Sequence, residues 1–255
     1  MKLQGKVAVI TGAGRGIGQA AALKFAEEGC SVVCVDIDGG SAEETAAGIR
    51  TADGSAVGVA ADVSTEKGNA TMVEEAVVRF GGLDILYANA AIQALGRIDS
   101  TDAAHWDSLY RTNLRGVFLG FSSALPALRR RGGGSLLITA SLLGIVGDPD
   151  MPAYGAMKGG LRAFCRAVAT GHGPENIRCN TICPGDVETP MGAEFFAHQP
   201  DPIAARTAIT DRYPLRRFAT PRDVANVAAF LASEEASYLT GIDIVVDGGL
   251  LARIY

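Results

Sequence analysis

The passage from Val7 to Asp36 limits what this chain can fold into more than any other. Val7-Ala8-Val9-Ile10 is a continuous apolar run without polar alternation, the pattern of a strand buried on both faces. It runs into Thr11-Gly12-Ala13-Gly14-Arg15-Gly16-Ile17-Gly18, a turn of small residues. Ile17, Ala20, Ala21 and Phe25 then recur at helical spacing, Gly29 ends that helix, and residues 31–35 read as a second strand closed by Asp36. Small residues let the backbone approach a pyrophosphate, and the helix N-terminus beyond supplies free N–H donors and a favourable dipole. Gly12, Gly16 and Gly18 are the glycines that fit, with Ile17 where the common G-x-G-x-x-G has its third Gly.

The alternation continues. Helices are expected at 41–51, 66–80, about 102–128, 154–170 and 221–232, and strands at 56–60, 84–88, 135–139, 177–182 and 243–246. Residues 184–214 read as irregular. No linker rich in Pro, Ser or charge interrupts the pattern, so residues 1–255 are read as a single domain. Its class is α/β, a doubly wound parallel sheet of about seven strands with helices on both faces. Ligands in such folds sit beyond the C-terminal ends of the strands.

Apolar residues at 48% against 20% charged allow a large core and exclude disorder, and the net charge of -5 argues against a nucleic-acid or anionic-membrane partner. Arg129-Arg130-Arg131 before three glycines reads as a solvated helix end. Five cysteines without a C-x-x-C pair fit reduced thiols. The apolar run near Met1 is too short for a signal peptide and no segment approaches a membrane span, so a cytoplasmic location is expected. His105, His172 and His198 share no ligand spacing, and no metal is expected.

Asp36 lies 20 positions after Gly16 (36 − 16), where a carboxylate can accept hydrogen bonds from both hydroxyls of an adenosine ribose. It also repels a 2′-phosphate, by about 4 kcal/mol for one charge pair at about 4 Å and an effective dielectric of about 20. NAD is therefore expected over NADP, without absolute exclusion of NADP, because Arg15 offsets part of this.

Tyr154-Gly155-Ala156-Met157-Lys158 places a phenol and an ammonium at i and i+4 on one helix face, and Ser141 lies 13 residues earlier (154 − 141), just past a buried-type strand. At these residues the chain resembles the classical short-chain dehydrogenase/reductase family, over essentially its whole length. Thr11-Gly12 with Gly16 and Gly18 looks like that family's cofactor loop, and Asp62-Val63 like its adenine-contacting pair. Asn89-Ala90-Ala91 stands where the family usually has Asn-Ala-Gly. Asn113, Ser141, Tyr154 and Lys158 match its catalytic tetrad. Pro184-Gly185 with Val187 and Thr189 is similar to the loop that holds the nicotinamide carboxamide, and Thr240-Gly241 with Asp247-Gly248-Gly249 to its C-terminal signature. The resemblance implies a Rossmann-like fold, an NAD(H)-dependent oxidoreductase acting on a secondary alcohol or ketone, and a homotetramer. It also implies that Lys158 binds the nicotinamide ribose and that Asn113 positions a water linking Lys158 to solvent.

The chemistry also follows from the residues. Moving a hydride at carbon requires moving a proton at the attached oxygen, by a group whose pKa lies near the working pH. Bringing a Tyr from about 10 to about 7 takes roughly 4 kcal/mol, which one close cation supplies. Lys158 beside the positive nicotinamide is a sufficient cause, with Ser141 stabilising charge on the substrate oxygen.

Gln93, Leu143, Asp148 and Met191 are the substrate candidates, with the stretch 186–214 as a lid. The substrate is a small molecule, such as a polyol, a sugar or a cyclic alcohol. Apolar residues on more than one face of the 102–128 and 154–170 helices suit burial in a symmetric oligomer. Two rivals are a catalytically idle binding or regulatory protein, opposed by the intact tetrad, and an epimerase or dehydratase, which usually carries a longer substrate domain.

Overall fold

The computed structural model describes residues 1–197 and 200–253. Strands β1 (Val7–Thr11), β2 (Ser31–Asp36), β3 (Ser55–Ala60), β4 (Ile85–Ala88), β5 (Gly134–Thr139), β6 (Ile177–Pro184) and β7 (Asp243–Val246) form one all-parallel sheet. Their order is β3-β2-β1-β4-β5-β6-β7. The chain winds outward from β1 to β3, then returns to β4 beside β1. That reversal opens a crevice at the C-terminal ends of β1 and β4, the place where open parallel sheets take ligands.

The unbroken apolar run in β1 has a simple cause. Ala8 and Ile10 pack under α1 (Gly16–Glu27) and α9 (Pro221–Ala232), against Ala21, Phe25, Val224 and Ala228. Val7 and Val9 face the other layer, where Met72 of α3 (Glu66–Phe80), Phe121 of α5 (Gly116–Arg130) and Leu161 of α6 (Pro152–His172) close the second core. Alternate side chains of one strand thus fill two dry layers. The remaining long helix, α2 (Gly39–Thr51), follows β2.

Two expectations need correction. The helix expected over 102–128 is α4 (Ala103–Leu109) and α5 joined by a π-helical turn, Tyr110–Arg115. The widened turn carries Asn113, whose amide donates to the Ile92 carbonyl at 2.8 Å and accepts from the Ile92 N–H at 2.9 Å. Those tertiary bonds compensate for the distorted ladder. The stretch read as irregular contains α7 (Pro190–Ala197) and α8 (Pro202–Thr210). Pro190 and Pro202 start these helices, where a missing N–H costs nothing, and Asp201 caps α8 by accepting from Ile203 and Ala204. Phe196, Tyr213 and Phe218 form the small core that holds these short helices. His198 lies outside the described residues.

Candidate active site

The C-terminal edge of the sheet assembles the site. At the end of β1, Gly12 and Gly16 have φ of +65° and +59°, a region costly for side chains. A Cβ on Gly18 would lie 2.0 Å from the Gly12 carbonyl oxygen, so the helix can approach the strand only with glycine there. Arg15 precedes α1 without capping it, which leaves the first-turn N–H groups free of side-chain partners. Asp36 ends β2 and accepts from the Gly14 N–H at 3.0 Å and the Asp38 N–H at 3.1 Å, which pins its carboxylate beside the loop. Arg15 itself is exposed.

Beyond β3, Asp62 accepts from the Ser64 N–H at 2.8 Å. Asn69, which sequence reasoning missed, is fully buried and donates to the carbonyls of Val63 and Thr65, both at 2.7 Å. Asn89, after β4, donates to the Thr11 carbonyl at 3.0 Å and accepts from Thr139 Oγ1 at 2.9 Å, so one amide ties the ends of β1, β4 and β5 together. These residues fit a dinucleotide: a side-chain-free cradle at a helix start, with a fixed carboxylate one strand away.

Ser141 sits two residues past β5 in extended backbone, and its Oγ accepts from the Leu143 N–H at 3.1 Å. Tyr154 and Lys158 lie one turn apart on α6, with the ammonium 5.4 Å from the centre of the phenol ring. Lys158 is buried and donates to the Thr139 carbonyl at 2.7 Å. Asn113 is buried too, and its side chain serves the Ile92 backbone rather than Lys158.

A cavity of about 730 Å³ opens over Ser141 and Tyr154. Ile17, Pro184, Gly185, Val187 and Thr189 line it, as do all four substrate candidates, Gln93, Leu143, Asp148 and Met191. Gly12, Arg15, Gly16, Gly18, Asp36, Asp62, Val63 and Asn89 are not in its lining, and Asn113 and Lys158 lie beneath the surface. Thr189 links the two regions: a Cβ on Gly16 would meet its methyl at 3.3 Å. The lid brings in Phe195 and Phe196, apolar residues that suit a lid in the sequence, and adds Arg206, Ile209, Arg212 and Tyr213, which sequence reasoning did not single out. Tyr213 is 2% exposed; its hydroxyl donates to Asp186 Oδ2 at 2.7 Å and accepts from the Asp186 N–H at 2.8 Å.

The electrostatics differ from the sequence expectation. Burial pushes the Tyr154 phenol above its ordinary value and pushes the Lys158 ammonium down to about 8. Both shifts favour the neutral form, because the pocket base is dry. Lys158 spends its shortest bond on a carbonyl, so it does not by itself bring the phenol to neutral pH. Among the described residues no group of three or more His, Cys, Asp or Glu is placed to hold a metal. None of their helices is long and apolar enough to cross a membrane.

Comparison with known proteins agrees with this architecture. The family model described as enoyl-(acyl carrier protein) reductase matches residues 12–251. The 2-(S)-hydroxypropyl-CoM dehydrogenase 3 of Xanthobacter autotrophicus is 36% identical over 252 residues, 98% of each chain. Cyclohexanol dehydrogenase of Acinetobacter sp. is 35% identical over 255 residues, covering 99% of this chain and 97% of its own. The crystal structure of levodione reductase superposes with a TM-score of 0.95 at 33% identity, over 99% of this chain and 100% of that one. The chain belongs to the short-chain dehydrogenase/reductase family, whose dehydrogenases use nicotinamide cofactors. It is an oxidoreductase acting on CH–OH groups.

Proposed function

We propose that this protein is an NAD(H)-dependent dehydrogenase/reductase that interconverts a secondary alcohol and its ketone, with Tyr154 as general acid–base. The observation that carries this reading is the shared cavity over Ser141 and Tyr154, with the Lys158 ammonium 5.4 Å from the phenol ring. Cyclohexanol dehydrogenase and levodione reductase, similar over nearly their whole length, favour a cyclic substrate. Residues 1–255 act as one dinucleotide-binding domain, and 186–214 as its substrate lid.

Gly12, Arg15, Gly16, Ile17 and Gly18 would hold the cofactor's phosphates, Asp36 its ribose hydroxyls, and Asp62, Val63 and Asn89 its adenine half. Pro184, Gly185, Val187 and Thr189 would hold the carboxamide. When bound, a nicotinamide would supply the hydride acceptor or donor and, in its oxidised form, a positive charge. Ser141 orients the substrate oxygen and stabilises charge developing on it. Tyr154 takes the hydroxyl proton during oxidation and gives it back during reduction. Lys158 would hold the cofactor's ribose and stabilise the phenolate. Asn113 fixes the π-helical turn through Ile92, and a backbone carbonyl freed there is a place for the water that connects Lys158 to solvent.

A cytoplasmic location and a homotetramer complete the proposal. The test is NAD⁺ reduction across a panel of secondary alcohols, polyols and aldoses, with Tyr154→Phe beside the wild type. Turnover should vanish in the variant while NADH binding, followed by fluorescence, survives. Wild-type rates in Tyr154→Phe would remove the assignment.

A further inference from the structure

The lid wall of the cavity carries a charge that the reaction does not use. Aside from its tyrosines, the cavity's ionisable lining is Asp148, Asp186, Glu188, Arg206 and Arg212. Four of the five are engaged within the protein. Asp148 accepts the Asp150 N–H at 2.9 Å and Asp186 the Tyr213 hydroxyl at 2.7 Å. Glu188 and Arg206 form an ion pair at 2.6 Å, and the Arg206 guanidinium lies over the Phe218 ring at 4.7 Å.

Arg212 is different. Its guanidinium makes no hydrogen bond, ion pair or ring contact among the described residues. Its backbone, by contrast, is anchored. The Arg212 N–H donates to the Ile209 carbonyl at 3.0 Å, its own carbonyl accepts from Arg253 at 3.3 Å, and the adjoining Tyr213 is buried against Asp186. The other arginines of residues 202–217 are all paired: Arg206 with Glu188, Arg216 with Asp211 and Arg217 with Asp223. With the carboxylates they pair with, these four arginines face three acids (4 − 3 = +1), so Arg212 is the charge left over.

We propose that Arg212 is a specificity residue that binds an anionic group of the substrate, a carboxylate or sulfonate. The preferred substrates are then secondary alcohols or ketones bearing that group on an apolar frame. This rests on the reading of Ser141 and Tyr154 as the reacting end. Those two residues come from the β5–α6 wall and Arg212 from the lid, and Leu143, Met151, Met191 and Ile209 make much of the remaining lining apolar. A substrate spanning the walls presents its hydroxyl to Tyr154 and its oxyanion to the guanidinium. The planar fork of Arg matches a carboxylate or sulfonate in two parallel bonds.

The test compares cis-4-hydroxycyclohexanecarboxylate with cyclohexanol as substrates of the NAD⁺-loaded enzyme, in wild type, Arg212→Gln and Arg212→Lys. The readout is the ratio of their kcat/KM values, which cancels general damage to the site. A wild-type ratio of about 10-fold or more is expected, carried by KM, shrinking with salt, falling toward one in Arg212→Gln and partly kept in Arg212→Lys. A wild-type ratio near one, or a ratio unchanged in Arg212→Gln, overturns the inference and leaves the dehydrogenase reading intact. Turnover of neither substrate counts instead against the cyclic-alcohol reading. Calorimetry of the NADH-loaded protein with cyclohexanecarboxylate and cyclohexanecarboxamide then decides the anion site. Carboxylate binding that needs Arg212 supports it, and equal binding of the two overturns it.

Discussion

Asp36 borders the proposed cofactor cleft with a carboxylate held on both sides, because the Gly14 and Asp38 N–H groups each hold one of its oxygens. On the proposed NAD reading, a fixed anion there penalises a 2′-phosphate, which the exposed Arg15 would partly offset. Asp36→Asn should therefore move the ratio of kcat/KM for NADP over NAD upward by about 10-fold or more, read from initial rates with each cofactor. An unchanged ratio would show that Asp36 does not discriminate. The Tyr154–Lys158 pair makes a second prediction. With the ammonium at about 8 and the phenol raised, the pair sheds its first proton near pH 8, and the state with phenolate beside ammonium belongs to that singly deprotonated form. Alcohol oxidation should climb with pH through about 8, and ketone reduction should fall over the same range. Lys158→Met should shift this ionisation upward; a profile flat from pH 7 to 9 in the wild type would contradict the assignment. Ser141, Tyr154 and Lys158 were legible because each follows a local rule, a strand end or an i,i+4 spacing. Tyr213 and Arg212 were not, since their roles depend on a contact with Asp186 across 27 positions and on which charges the fold leaves unpaired.

At the scale of elements, strands were read closely because burial on both faces writes itself as β-branched runs, and α1 because its apolar residues keep helical spacing. The π-helical turn was invisible, since Asn113 earns its place only through Ile92 in another element. The lid helices were hidden by their own start signals, Pro190 and Asp201-Pro202, which also mark loops. Another tertiary device sits at the opposite end of the sheet from the site. Asp84 is 7% exposed, accepts the Val7 N–H at 2.8 Å and takes a two-point contact from Arg131 at 3.0 and 3.1 Å. It joins the start of β1 to the end of α5. Asp84→Ala leaves that N–H without its acceptor and the guanidinium without its carboxylate, at a cost of about 2–4 kcal/mol. The melting temperature should drop by roughly 5–10 °C, with kcat at low temperature nearly unchanged. A shift below about 1 °C would mean that the junction carries no stability.

The whole molecule leaves apolar surface on the layer of α4, α5 and α6. Phe118 is 53% exposed although it meets Phe164 edge-on at 6.5 Å, and Trp106 and Tyr110 are 43% exposed each. The sequence puts Phe118 and Phe164 on helices that already bury another face in the core beneath Phe121 and Leu161. An aromatic pair displayed this way stabilises little while wet, and much more once a second copy covers it. A two-fold assembly suits it, because the same patch then supplies both sides of the contact. The α6 helix also carries Tyr154 and Lys158, and the π-helical turn leading into α5 carries Asn113, so covering these helices stiffens the elements that hold the proposed proton-transfer group. Phe118→Asp would bring two carboxylates together in that contact at a desolvation cost neither could offset. Wild-type scattering should report a mass of about four chains, and the variant a smaller species with reduced kcat. A wild-type monomer would remove the tetramer, and a variant that keeps the wild-type mass would place the interface elsewhere.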